Sequence, residues 1–191
     1  MKIEMGESLI YSWLRHEKLC QLVQTNWKVS PFWELENRQE IEDLFVICRN
    51  YFLEKHSLDI SKGCSLEQFL KQAEIDGIGI AYSTEAPYIY AVDVAYHEGG
   101  LNYGGKDETI TKIAQKCIRT ALCLYGYFCM STGEVLFVSP KITPAIETAL
   151  VPLFDEISKL LHDNGLNIKA ILHCNDSFLS LIHISEPTRL R

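Results

Sequence analysis

The sequence predicts an α/β domain with a central mixed sheet and an inserted helical segment, and three observations carry that prediction. Apolar residues recur with helical and strand periods in the order α, β, inserted helices, β, β, α, β, α, β. Two β-branched and aromatic runs, 75–82 and 88–96, are separated only by the turn 83–87, so they form a hairpin of buried strands. The chain has 191 residues, 47% of them apolar and 23% charged, which suits one soluble domain with a single core.

Each element has its own signal. Leu9, Ile10, Trp13 and Leu14 lie at helical spacing within 5–18, and Leu19 to Trp27 reads as a strand after the charged corner His16-Glu17-Lys18. A turn around Pro31 leads to a second helix over 38–55, whose stripe is Ile41, Leu44, Phe45, Cys48, Tyr51 and Phe52. Ser65 and Gln68 form a capping box for a short helix ending near Ala73. The hairpin follows, with Gly77 and Gly79 in its first strand. A loop with four glycines from His97 to Gly105 precedes a helix that Asp107 is expected to cap, with the stripe Ile110, Ile113, Ala114, Cys117, Ala121, Leu124 and Tyr125. Val135 to Ser139 reads as a strand, Pro144 to His162 as a helix with proline in its first turn, and Leu166 to Cys174 as a strand.

Composition narrows the function classes. Eighteen basic residues against twenty-five acidic give a formal charge of −7, which excludes a general nucleic-acid coat and leaves room for a local basic surface. The longest uncharged run before the C-terminal segment, Thr120 to Gly133, has fourteen residues and two glycines, too short to span a bilayer. Glu4, Glu7 and Arg15 break the pattern of a secretory signal, so no membrane association and a cytoplasmic location are expected. Seven cysteines with no C-x-x-C pair fit neither a disulfide framework nor a usual zinc site, and read as reduced, mostly buried residues.

The chemistry-bearing feature is a set of acids on adjacent apolar strands. A carboxylate on a buried strand costs several kcal/mol unless it is paired or holds a metal. Glu74 and Asp76 share a strand face by the two-residue period, and Asp93 is set within Ala91-Val92-Asp93-Val94-Ala95. A hairpin brings Asp76 and Asp93 together, and paired oxygen ligands of this kind suit Mg²⁺ or Mn²⁺. Each residue also has a plainer reading. Glu7 near a helix start favours the helix dipole, Asp76 beside Gly77 suits a turn, and the row Lys112, Lys116, Arg119 suits a solvated helix face. Gly99-Gly100 and Gly104-Gly105 make neither a phosphate loop nor a dinucleotide fingerprint, and His97-Glu98 is not a zinc-protease signature, because Leu101 stands where the second histidine would be.

With Gly6-Glu7 on the first helix, Asn26-Trp27 after the first strand, Glu74-Ile75-Asp76 on the next and Asp93-Val94-Ala95 on the third, the chain resembles the PD-(D/E)XK nuclease superfamily. Within it, the chain is most similar to small endonuclease-like proteins akin to Holliday-junction resolvases. The likeness spans residues 5–128, including Tyr103-Gly104 and the helix with Lys112, Lys116 and Arg119, apart from an insertion at 30–72. It implies a restriction-endonuclease-like αβββαβ core and divalent-metal-dependent phosphodiester hydrolysis on duplex or branched DNA, and it admits a homodimer. Asp76 and Asp93 would hold Mg²⁺ or Mn²⁺, with Glu7 and Glu74 assisting. The family's lysine, two residues after the second acid, is absent: Ala95 stands there. His97, two residues further along, is the first candidate to replace it and Lys116 the second, with Lys106 and Lys112 also in that region. The alternative is a catalytically inactive module of the same fold that binds nucleic acid or a protein.

Residues 1–178 are therefore expected to form one nuclease-like domain. Residues 179–191 stand apart, because Leu179 to Arg189 resembles the in-frame translation of a sequencing adapter, and such segments are excluded from fold reasoning.

Overall fold

The computed structural model of the chain describes residues 2–83, 86–96, 100–178 and 180. Its elements are α1 (Lys2–His16), β1 (Leu22–Lys28), α2 (Arg38–His56), α3 (Leu66–Lys71), β2 (Glu74–Tyr82), β3 (Pro87–Val94), α4 (Lys106–Phe128), β4 (Thr132–Ser139), α5 (Pro144–Asp163) and β5 (Asn167–Cys174). The five strands form one sheet in the order β1-β2-β3-β4-β5. β1, β2 and β3 pair antiparallel, whereas β3, β4 and β5 pair parallel. Parallel neighbours need a crossover, and α4 and α5 supply the two that this sheet requires. The fold is thus the α/β class with a mixed sheet that the periodicity predicts.

Two layers cover the sheet. On one face α1 packs through Ile10, Trp13 and Leu14 onto Val92, Leu136 and Val138. Gly77 and Gly79 make this approach close, because a Cβ at Gly77 would lie 2.9 Å from Ile10 Cγ2 and one at Gly79 would lie 2.7 Å from Cys20 Sγ. On the other face α4 and α5 meet Ile89, Ala91, Val135, Phe137, Ile168 and Ala170. The insertion 30–72 lies over this second layer, where Ile41, Leu44, Phe45, Cys48 and Phe52 bury the apolar stripe of α2. It is pinned to α5 by Glu156, whose carboxylate accepts from Tyr51 Oη at 3.1 Å and lies 2.6 Å from His56 Nε2 and 2.9 Å from Lys55 Nζ.

Three local expectations are corrected. First, α1 begins at Lys2, not at 5, so Glu7 sits in the body of the helix and not in the first turn where the helix dipole would favour it. Second, β1 starts at Leu22 and not at Leu19. Glu17 and Lys18 N–H both close on Trp13 O, and Leu19 takes a left-handed conformation with 66% of its surface exposed. Third, Asp107 is not the cap of α4, because the cap falls two residues earlier, on Gly105, which supplies no side chain. Asp107 instead lies in the first turn, where its charge suits the dipole. The Ser65–Gln68 capping box forms as expected.

All seven cysteines are free thiols; five are buried, Cys64 is half-buried and Cys129 exposed. Among the described residues no helix is long and apolar enough to cross a membrane.

Candidate active site

The β2–β3 register pairs Gly77 with Val92, and one step further along it sets Asp76 opposite Asp93. Directly opposed residues of an antiparallel pair project to the same side, here the side covered by α4. The hairpin therefore does bring the two predicted acids together.

The fold treats the two acids differently. Asp93 is 2% exposed and both of its oxygens are engaged by α4: Lys116 Nζ donates to Oδ1 at 3.1 Å and Thr120 Oγ1 to Oδ2 at 3.2 Å. Residues 116 and 120 are four apart and so lie on one helix face, which allows one helix to hold both lobes of one carboxylate. Among the described residues Asp76 forms no ion pair, although the charge of Lys116 acts on it. Val94 N–H donates to its Oδ2 at 2.6 Å, yet its pKa is pushed up to about 6, by burial first and also by the nearby charges of Asp93 and Glu7. The Lys116 ammonium, opposed by burial, is held charged above its ordinary range by the Asp93 carboxylate. Its side chain keeps 35% of its surface exposed.

Glu7 joins this group from the opposite layer. Asn26, in a left-handed conformation within β1, donates through Nδ2 to Glu7 Oε2 at 3.0 Å. That bond fixes the carboxylate close enough to act on Asp76. Glu74 does not join. It is exposed, and its Oε1 lies 2.8 Å from Lys28 Nζ across the β1–β2 register. Its predicted role as a ligand is replaced by a surface ion pair, because at the end of β2 no helix covers it and a lysine is opposite.

The cations of α4 also separate. Lys112 Nζ donates to Tyr103 O at 3.1 Å and pairs with Glu108 at 3.0 Å. Arg119 is not on a solvated face. It is 7% exposed, stacks 4.8 Å from the centroid of the Phe69 ring and donates to Gln72 O and Gln72 Oε1, both at 3.2 Å. The insertion covers the side of α4 that a helical wheel leaves open. Lys106 opens α4, ten residues or about 15 Å of helix before Lys116. His97, the first candidate for the missing cation, lies outside the described residues. Ala95 is 4% exposed in the core beside α4, and Lys116, the second candidate, reaches Asp93 from that helix.

Three contributors carry no role in the sequence reading. Thr120 was detectable in principle from its helical spacing to Lys116. Asn26 had no signal beyond its neighbour Trp27. Tyr103 senses the site, its phenol pushed up by burial first and by the charges of Asp93 and Asp76, against Lys116 and Lys112.

Among the described residues no cluster of three or more histidine, cysteine or acidic side chains is arranged to hold a metal. Two carboxylates remain, and Mg²⁺ commonly uses one or two with the rest of its shell as water. Among the described residues the hydrogen bond of Asp76 falls on Oδ2 alone, which leaves Oδ1 as a donor atom. That oxygen, beside an Asp93 whose two oxygens both have protein donors, is what the pair offers a further ligand. Comparison with protein-family models, with curated proteins and with solved structures finds no match for this chain.

Proposed function

We propose that the domain is a divalent-metal-dependent phosphodiesterase acting on DNA, with a restriction-endonuclease-like core in which a helix lysine replaces the strand lysine. The observation that carries this reading is the partly exposed Lys116 side chain, whose ammonium lies 3.1 Å from the buried Asp93, which itself lies across the hairpin from Asp76. A cation whose side chain is partly open to solvent and whose charge reaches both acids is placed to meet a charged ligand there.

Asp76 and Asp93 would hold the ion, which when bound supplies Lewis-acid activation of water and offsets charge on the phosphate. The chain's own groups do the rest. Thr120 fixes the rotation of Asp93 so that its carboxylate faces Asp76. Lys116 spends one N–H on Asp93 and keeps two for a phosphate oxygen, where charge builds during in-line displacement. Glu7, tied to Asn26, adds negative charge that strengthens cation binding at Asp76 and orients water.

A second reading rests on a specific observation. Both Asp93 oxygens already have protein donors, as expected of a buried ion pair in an inactive module that binds nucleic acid or protein. One experiment separates the two. Single-stranded, duplex and four-way-junction DNA are incubated with the protein and Mg²⁺ or Mn²⁺, alongside Lys116→Met. The nuclease reading expects nicking by the wild type, a loss of about 10²-fold or more in Lys116→Met, and Mn²⁺ binding retained by calorimetry. A wild type inert on all three DNAs with both metals overturns catalysis and leaves the binding module.

A further inference from the structure

A second site lies on the insertion, around the turn that joins β1 to α2. Trp27, Trp33, Tyr127 and Phe128 form an aromatic cluster with ring centroids 5.3 to 6.1 Å apart. Trp27 is the buried floor, whereas Trp33 is 50% and Phe32 is 92% exposed. An open groove of about 500 Å³ runs over these rings, and its lining includes Glu34, Glu36 and Gln24.

The turn presenting these groups is held in place. Glu36 N–H donates to Gly126 O at 3.0 Å, using a carbonyl in the last turn of α4 that the helix leaves free. Leu35 packs on Gly126, where any Cβ would strike its Cδ1. With Leu35 turned inward, Glu34 and Glu36 both face out on the rim of the groove. Exposed Trp and Phe faces next to two carboxylates favour a cation over a phosphate, since ring faces attract ammonium and guanidinium groups and the acids repel anions.

We infer that this groove docks a basic peptide segment, with an arginine or lysine side chain stacked on Trp33 and flanking cations paired with Glu34 and Glu36. Two acids two residues apart match a linear array of cations better than one small amine. Gln24 adds to this argument, because it belongs to β1, the edge strand of the sheet, and sheet edges are where extended peptides add. The negative charge of the chain as a whole, −7, speeds encounter with such a partner. Stacked nucleobases are the competing occupant, and the carboxylate rim disfavours them. The inference is independent of whether Asp76 and Asp93 support cleavage.

The test uses the full chain and three probes: a fluorescent ten-residue peptide of alternating arginine and glycine, the same peptide with glutamine for arginine, and oligothymidylate of equal length. Anisotropy at low salt is expected to show binding of the arginine peptide alone, with quenching of tryptophan emission. Trp33→Ala and the pair Glu34→Gln with Glu36→Gln should each weaken it about tenfold. Phe32→Ser, at a side chain too exposed to affect folding, should weaken it about threefold. A second pair, Glu54→Gln with Asp155→Asn, removes the same charge from exposed sites on α2 and α5 and should leave binding within about twofold. Three results would overturn the inference: preferential binding of oligothymidylate, unchanged affinity in both Trp33→Ala and Phe32→Ser, or equal weakening by the two charge-removing pairs.

Discussion

Two cations three residues apart on α4 meet opposite fates. Lys116 reaches down to the sheet and pairs with a buried carboxylate while keeping a solvent-facing side. Arg119 reaches up into the insertion, is almost wholly covered, and bonds only the neutral carbonyl and amide of Gln72. Its Nε is buried without a hydrogen-bond partner among the described residues. Burial alone lowers the pKa of a guanidinium, and here it does so for Arg119, whereas for Lys116 the charge and hydrogen bond of Asp93, together with the charges of Tyr103 and Asp76, outweigh burial. The comparison teaches that the partner, more than the burial, decides what a cation does. One of these residues is paired with a buried charge, and the other clips the insertion to the core.

The sharpest way to break the contrast is to remove each cation in turn. Lys116→Met strands the Asp93 charge and should cost about 3–5 kcal/mol in urea denaturation at pH 7. Adding Asp93→Asn to the same chain should restore most of that loss, because the uncompensated charge is then gone. A double variant as unstable as Lys116→Met would show that the lysine stem, and not its charge, holds this region together.

Asp76 gives the next largest effect, and it is pH-dependent. Its folded pKa, about 6, lies above the ordinary carboxylate value of 3.8, so the folded state binds the proton more tightly and loses stability as pH rises from about 4 through 6. Asp76→Asn should therefore stabilise the protein at pH 8 by up to about 2–3 kcal/mol, with the difference fading below pH 4. Saturating Mn²⁺ should raise the melting temperature of the wild type at pH 7 and do so much less in Asp76→Asn. A pH-independent difference between the two proteins would remove the charge argument for the site.

Arg119→Met should cost only about 1–2 kcal/mol, since it leaves Gln72 O unpaired but strands no charge. Amide exchange in 66–72 should accelerate more than exchange in β3. Equal destabilisation by Lys116→Met and Arg119→Met would erase the distinction drawn between them. Smallest of all, Glu156→Gln weakens the partly exposed clasp with Lys55 and His56 and should cost about 1 kcal/mol or less, with loss of protection confined to α2.

Much of the fold is legible because it is encoded in short-range patterns. The stripe Ile41, Leu44, Phe45, Cys48 and Phe52, the Ser65–Gln68 box and the proline opening α5 are each local, and each stands where the pattern puts it. The pairing of Asp76 with Asp93 is legible for the same reason, since a hairpin joins neighbours in sequence. What periodicity does not carry is the identity of the covering layer. A helical wheel puts Arg119 on the outside of α4, yet another forty residues of chain, the insertion 30–72, fold over that side.

The amino-acid order by itself thus determined the succession of elements, the hairpin that opposes two acids and the apolar run that encloses Asp93. Those follow from 3.6- and 2-residue periods, turn residues and residue identity, all read along the chain. Only the tertiary structure decided that Lys116 meets Asp93 at a sequence separation of 23, that Glu74 turns to Lys28, and that Trp33 stands over Trp27 and Tyr127. These are contacts between elements, set by how α4 crosses the sheet and how the insertion lies on α4. The same helix spacing would serve a lysine facing water equally well, and it is the packing of the second layer that chooses.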